Sequence, residues 1–453
     1  MTVAVVGGGI SGLALAHALI QRGRDAVVLE ASAQPGGKIA TRAKDGFLLE
    51  AGPNGFLDAE PATLALAEAL GLTPRLRRAE ATAKRRFIYT RGVVREVPAS
   101  PKLIVSRLIS VPAKLRLLVE PFTRPGPEGD ESLADFMRRH IGREATDVLV
   151  DAVQSGIYAG DPERMSAAAV FPRLAELDRK FGSLLVGFIR SRRDGNGGPR
   201  RGPSTLCSFE GGLTTLISAL AERLGERVRC SAGVKGLSRT AERWCLALEG
   251  GASVEADEVV LGVPAYAAAP LVRAFDAGAA EAMEGIPYAP VCVVHLGYAP
   301  GTVAQPPQGF GFLVPHREGR PLLGCLYVSS FFPWRAPAGA VLLTCMLGGA
   351  RHREVLSLDE AGLVALARDQ VRDTLGIRVE PSLTEVFRWE RAIPQYELGH
   401  LDRLARVERG LGRLPNLYAF GNAYRGIGLN DCVRQAGILA ESLPPPASGG
   451  GSG

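Results

Sequence analysis

Thr2-Val3-Ala4-Val5-Val6-Gly7-Gly8-Gly9-Ile10-Ser11-Gly12 leads into the apolar run Leu13 to Ile20, breaks at Gly23, and resumes as Ala26-Val27-Val28-Leu29-Glu30. A short unbroken apolar run ahead of glycines reads as a buried parallel strand. The order strand, glycine turn, helix, strand, acid then predicts a βαβ unit. In Gly7-x-Gly9-x-x-Gly12 the first glycine permits the tight turn, the second lets backbone N–H groups reach a pyrophosphate, and the third lets helix pack on strand. The phosphates of a dinucleotide would lie at the positive end of the helix that starts near Ser11. Glu30 can accept hydrogen bonds from ribose hydroxyls and would repel a 2′-phosphate, which disfavours NADP.

Two further glycine turns separate FAD from NAD. Gly36-Gly37-Lys38 and Gly52-Pro53-Asn54 offer additional close approaches of backbone, as a long, two-ended cofactor needs. Near the other end, Leu417-Tyr418-Ala419-Phe420-Gly421-Asn422 reads as a strand and turn, and Gly426-Ile427-Gly428-Leu429-Asn430 opens a last helix. The N–H groups of that helix can face the flavin pyrimidine edge, where negative charge accumulates on reduction. FAD is the expected cofactor.

Between these ends the chain changes character. Residues 98–122 place Ile104, Leu108, Val111, Leu115 and Leu118 at helical spacing, started by Ser100-Pro101 and interrupted at Pro112. Helical patterning continues through 131–154 and 163–190, and the polar, glycine-rich stretch Arg192 to Pro203 reads as a loop. Strand-like segments return at Arg227–Cys230, Trp244–Leu248, Glu258–Leu261, Val291–Leu296, Leu322–Val328 and Val341–Leu347. The expected class is α/β, α+β overall, with a Rossmann-like sheet assembled from separate stretches, a second mixed sheet and a mainly helical insertion.

The composition, 46% hydrophobic and 22% charged over 453 residues, is that of a folded protein with a sizeable core. The balance of 53 basic against 47 acidic residues gives +6, which favours anionic partners. The seven cysteines are odd in number and never spaced C-x-x-C, so neither a disulfide framework nor a zinc site is expected. Residues 1–21 lack Asp, Glu, Lys and Arg, but Gly7-Gly8-Gly9 and the missing basic leader argue against a signal peptide or a membrane span.

Taken together, the opening motif, Gly36-Gly37, Ala51-Gly52-Pro53-Asn54, Gln308-Gly309-Phe310-Gly311-Phe312-Leu313-Val314-Pro315, Ile393-Pro394-Gln395-Tyr396 to Gly399-His400 and Gly421-Asn422 to Leu429-Asn430-Asp431 resemble the oxygen-dependent protoporphyrinogen IX oxidases. These belong to the flavin amine-oxidase superfamily, and the likeness is to the myxobacterial type. It runs from Val3 to about Leu443. It implies an FAD domain made of 1–85, 204–262 and 388–443, a substrate domain made of 86–97 and 263–387, a membrane-binding helical insertion at 98–203, and a flexible tail at 444–453. It also implies oxidation of a tetrapyrrole by dioxygen with peroxide released, in haem biosynthesis. The place of action would be the cytoplasmic side of the cell membrane, peripherally attached to an anionic surface; a homodimer stays open and no nucleic acid is implied.

By the same resemblance Arg86 pairs with a substrate propionate, Gly156 lies beside the macrocycle, Phe310 and Leu313 grip a pyrrole ring, and Met346 adds a further wall. Val234 falls near the adenine and Trp389 near the flavin. Gln34 and Lys38 stand where related flavoproteins carry arginines.

A porphyrinogen is a large apolar macrocycle with carboxylates on one edge, so its site needs aliphatic and aromatic walls and a cation at the rim. The flavin would carry the redox chemistry, and neither paired carboxylates nor Ser-His-Asp spacing calls for a protein acid or base; the six histidines are dispersed. A coproporphyrinogen III oxidase, a flavin amine oxidase and a non-catalytic flavin or tetrapyrrole carrier are the alternatives. The basic stretch 98–122, with Lys102, Arg107, Lys114 and Arg116 around an apolar face, suits a helix lying on anionic lipid.

Overall fold

The computed structural model describes residues 1–98, 106–193, 204–240 and 242–444. Ile104, Lys102, most of the glycine-rich stretch before Pro203 and the tail beyond 444 lie outside the described residues.

Thr2–Val6 is the central strand of a five-stranded parallel sheet. Asp25–Leu29 and then Val228–Arg229 lie on one side of it, Glu258–Leu261 and then Leu417–Ala419 on the other. Strand order thus reverses at the first strand, and the crevice at its carboxyl end is where ligands of such sheets bind. Period-two alternation divides the core. Val3, Val5, Ala26 and Val28 pack beneath helices Ile10–Gln21, Thr214–Leu224 and Leu429–Ser442. Ala4, Val6, Val27 and Leu29 face helices Ala265–Val272, Ala277–Glu284 and His400–Leu411.

A second, seven-stranded sheet runs in the order Leu383–Pro394, Tyr288–Tyr298, Val341–Gly348, Leu322–Leu326, Gly311–Leu313, Arg86–Thr90, Val93–Glu96. One neighbouring pair is parallel, Gly311–Leu313 with Arg86–Thr90. Its outer face packs on helix Glu360–Leu375 through Phe312, Cys345 and Val294. The hairpin Thr41–Lys44/Phe47–Glu50 turns on Asp45-Gly46, both left-handed at φ 51° and 80°, and so hands the chain from the dinucleotide sheet to the Gly52 turn.

The helical part differs from the sequence reading at Pro112, at Leu108 and at Arg192-Arg193. Helix Val111–Leu118 starts after Ser110, whose hydroxyl accepts from the Ala113 N–H at 3.4 Å, so Pro112 opens the helix rather than interrupting one. A proline has no N–H to lose in the first turn. Leu108 is buried against Ile88, Val148 and Ala152 and is not on an outward stripe. Helix Leu184–Arg193 also carries on through Arg192 and Arg193. Its start is held by the buried Glu120 carboxylate, which accepts from the N–H groups of Leu184 (2.6 Å) and Leu185 (3.1 Å) and from the Ser183 hydroxyl (2.7 Å). This brings Leu185, Phe188 and Ile189 beside Val119 and Phe122, all exposed. Among the described residues no helix is long and apolar enough to cross a membrane.

Arg24, ahead of the second strand, meets Glu258 at 2.6 Å with both side chains 2% exposed. Arg24→Met should lower the unfolding free energy by about 3–5 kcal/mol, the cost of stranding a buried charge. Arg24→Met/Glu258→Leu should recover most of it, as read from denaturant midpoints.

Candidate active site

At the head of the first helix every glycine of the motif has a physical reason. Gly7 sits at φ 107° and donates its N–H to the Leu29 carbonyl at 2.8 Å, while a Cβ on Gly12 would run into the Gly7 carbonyl. Gly9 faces open space and starts the helix with no side-chain cap. Its N–H groups are therefore available to an anion. The Gly36-Gly37 turn docks on this one: the Gly36 N–H donates to the Gly8 carbonyl at 2.8 Å, and a Cβ on Gly37 would come 3.5 Å from the Gly9 Cα. From the far end of the chain, Gly421 closes the same space, its own Cβ position 3.7 Å from the Ser11 hydroxyl.

Glu30, at the carboxyl end of the second strand, is anchored by the N–H groups of Gly8 (2.6 Å) and Ser32 (2.8 Å). Two carboxylate oxygens offer about four acceptor sites, so capacity remains for ribose hydroxyls. Val234 opens the strand that follows Ala232, whose N–H donates to the Glu30 carbonyl at 2.8 Å. An uncapped helix start, a bare glycine and an anchored acid together fit a dinucleotide. Asn422 lies next to Gly421, its carbonyl accepting from the Tyr396 hydroxyl at 2.7 Å. At the last helix Gly428 is the residue before Leu429, and the Asp431 carboxylate accepts from the Gly428 N–H at 3.2 Å.

Lys38 is partly buried beside the Gly36-Gly37 turn. Its ammonium donates to the Ala392 carbonyl and lies 5.4 Å from the Tyr288 ring centroid, and burial lowers its pKa to about 8.

The Gly52-Pro53-Asn54 turn is gripped from three directions. Trp389 Nε1–H donates to the Ala51 carbonyl at 2.7 Å. His295 Nε2 meets the Glu50 carbonyl at 3.0 Å, so that nitrogen carries the proton and Nδ1 accepts from Thr344 Oγ1 at 2.9 Å. Burial pushes the pKa of His295 down to about 4, which keeps the ring neutral. Arg335, with no exposed surface, donates from Nη2 to Glu50 Oε1 (2.7 Å), Ser208 Oγ (2.7 Å) and the Asn54 carbonyl (2.9 Å), and from Nη1 to Asn54 Oδ1 (3.3 Å). Arg335 was missed in the sequence. The available signal was one arginine inside the apolar run Phe331-Phe332-Pro333-Trp334-Arg335, since a cation there needs a buried acid.

Arg86, Phe310, Leu313, Gly156 and Met346 come together on the second sheet. Ile88, Leu313, Gly324, Met346 and Val293 are level across five neighbouring strands and so share a face. Gly156 lies against Leu313, where a Cβ would stand 2.6 Å from Cδ2. Met346 packs against the same buried cluster as Phe310 and against a second cluster that Trp389 also borders. Arg86 is level with Gly311, two residues before Leu313, and its guanidinium is 5.5 Å from the Phe310 ring centroid. Arg86 has no carboxylate partner among the described residues, whereas Arg85 is paired with Glu96 at 2.8 Å.

The chain matches the family described as flavin containing amine oxidoreductase over residues 10–443. It is 37% identical to the chloroplastic protoporphyrinogen oxidase of Oryza sativa subsp. japonica over 95% of this chain and 86% of that protein. With the coproporphyrinogen III oxidase of Bacillus subtilis it shares 29% over 96% of each. The solved structure named "Putative protoporphyrinogen oxidase" from Exiguobacterium sp. 255-15 superposes with a TM-score of 0.83 at 27% identity, over 97% of this chain and 98% of that one. The chain therefore belongs to the flavin-containing amine oxidoreductase family, and its cofactor is FAD.

Proposed function

We propose that this protein oxidises protoporphyrinogen IX to protoporphyrin IX, with dioxygen as the final acceptor and hydrogen peroxide as its product. The observation that supports this best is the level row Leu313, Gly324, Met346 with the unpaired Arg86 at its edge. Bound FAD would supply the acceptor for hydride from the macrocycle. The chain's own residues would hold and orient: Ser11, the Gly7–Gly12 and Gly36–Gly37 turns and Gly421-Asn422 the pyrophosphate, Glu30 the ribose, Val234 the adenine side. The Gly52 turn, Trp389 and the start of the last helix would border the flavin, and Phe310, Leu313, Met346 and Gly156 the tetrapyrrole. The division into FAD, substrate and helical parts at the boundaries given above is part of this reading.

A coproporphyrinogen III substrate carries more carboxylates and calls for more unpaired cations. Among the described residues Arg85 is taken by Glu96 and Arg86 has no carboxylate partner, which suits the dicarboxylate better.

Peripheral membrane attachment rests on Val111, Leu115, Leu118, Val119 and Phe122, the last 82% exposed, together with Leu185, Phe188 and Ile189. The electrostatic share is smaller than composition suggests. Lys114 is spent on the Ser106 carbonyl at 2.6 Å and Arg116 on the carbonyls of Arg139 and His140, and of the four cations in the stretch only Arg107 is described and exposed.

Glu30→Ala should weaken FAD binding by about 1.5–3 kcal/mol, the range for hydrogen bonds to charged groups, seen as yellow colour lost on dilution. Retention of FAD equal to the parent protein would contradict the ribose assignment. Arg86→Ala should raise KM for protoporphyrinogen, again by about 1.5–3 kcal/mol, with FAD content unchanged and Arg85→Ala close to neutral. Indifference to both changes would sink the propionate reading, and steady-state kinetics with both porphyrinogens decides the substrate. Leu118→Glu/Phe122→Glu should abolish co-sedimentation with anionic vesicles at low and high salt alike; sedimentation equal to the parent protein would remove the membrane face.

A further inference from the structure

We propose that Arg335 is a positioning residue that sets the Gly52-Pro53-Asn54 turn against the flavin and ties it to the Phe310 wall of the tetrapyrrole cleft. This rests on the reading of that turn as a flavin contact and goes beyond it, because Arg335 is assigned no contact with cofactor or substrate.

Four of its hydrogen bonds go to Glu50, Ser208 and both oxygens of Asn54. Satisfying main chain and side chain of Asn54 from one rigid fork fixes that residue's orientation as well as its place. Arg335 itself stands in the connection between strands Leu322–Leu326 and Val341–Gly348 of the second sheet. Its guanidinium stacks 4.6 Å from the Phe332 ring centroid, Phe332 lies 4.9 Å from Phe331, and Phe331 is stacked on Phe310 at 5.0 Å and 29°. A continuous set of packed groups therefore runs from the cleft wall to the turn. Glu50 holds the arginine in place and is itself held by the Leu213 N–H at 2.9 Å and the Thr41 hydroxyl at 2.8 Å. On its inner side the turn lies close against the Lys38 carbonyl, which a Cβ on Gly52 would strike.

The test compares Arg335→Lys, which keeps a cation beside Glu50 but not the planar fork, with Asn54→Ala and with the double variant. FAD affinity of the apoprotein, the visible circular dichroism of bound FAD, and the thermal midpoint are measured on all three. If the arginine acts through Asn54, each single change lowers FAD affinity about tenfold and alters the flavin dichroism, and the double variant is no worse than either alone. Turnover should fall in kcat, with KM for protoporphyrinogen within about twofold in Asn54→Ala, which leaves the Phe332, Phe331 and Phe310 packing untouched. Losses that multiply in the double variant, or a lowered thermal midpoint with FAD affinity and dichroism unchanged, would overturn the proposal and leave Arg335 a structural counter-ion. Should Arg335→Lys fail to fold, unchanged FAD affinity and dichroism in Asn54→Ala would overturn it as well. A parent protein that binds no FAD would defeat the flavin reading itself, which is a different result from variants that bind it as well as the parent.

Discussion

Glu50 is a carboxylate 1% exposed at the place where three remote stretches of chain meet, and the relation of the two sheets depends on its being satisfied. Burial alone raises its pKa and lowers that of Arg335, each opposed by the charge of the other. The geometry favours the ion pair: 2.7 Å between the charged groups, with Leu213 N–H and Thr41 Oγ1 also donating to the carboxylate. Such a pair adds little to stability over apolar packing of the same shape, yet removing one member is costly. What it supplies here is specificity of arrangement. Thr41 and Glu50 come from the hairpin, Ser208 from the strand Leu206–Phe209, and Arg335 from the connection between strands of the second sheet.

The parts legible in the sequence are those set by local chemistry. Strand, glycine turn, helix, strand and acid all stand where their patterns put them, and Trp244–Leu248 and Glu258–Leu261 are strands over the expected residues. Each is specified by its own apolar period or by glycines that nothing else could replace. What stayed hidden depends on partners far along the chain. Arg335 lies 285 residues from Glu50, and no pattern within one window links them. The stretch 98–122 misled for a related reason: Leu108 completes a helical spacing with Val111 yet is buried against Val148 and Ala152, and Arg116, which looks like a solvated cation, closes the carboxyl end of helix Leu133–Ile141.

Arg85 and Arg86 show how tertiary register resolves what adjacency leaves open. Side chains alternate along a strand, so neighbouring residues face opposite sides of the sheet. Arg86 is level with Gly311 and thereby shares a face with Ile88, Leu313 and Met346. Arg85 falls outside that strand, where the cross-strand Glu96 can reach it. A pair of identical residues is thus split, by a single step of chain, into one cation paired with Glu96 and one with no carboxylate partner among the described residues.

The apolar wall owes its shape as much to absent side chains as to present ones. Gly324 stands between Leu313 and Met346 in the level row, and a Cβ there would come within 3.0 Å of Leu313 Cδ2; Gly156 approaches the same leucine from the helical part. Leu313 thus lies against bare backbone on two sides, where an added side chain would displace it. In the proposed reading, the bare backbone of Gly324 between Leu313 and Met346 would leave this face open to a broad macrocycle. The helical part thus does more than present an apolar outer face, because through Gly156 it reaches Leu313 on the second sheet.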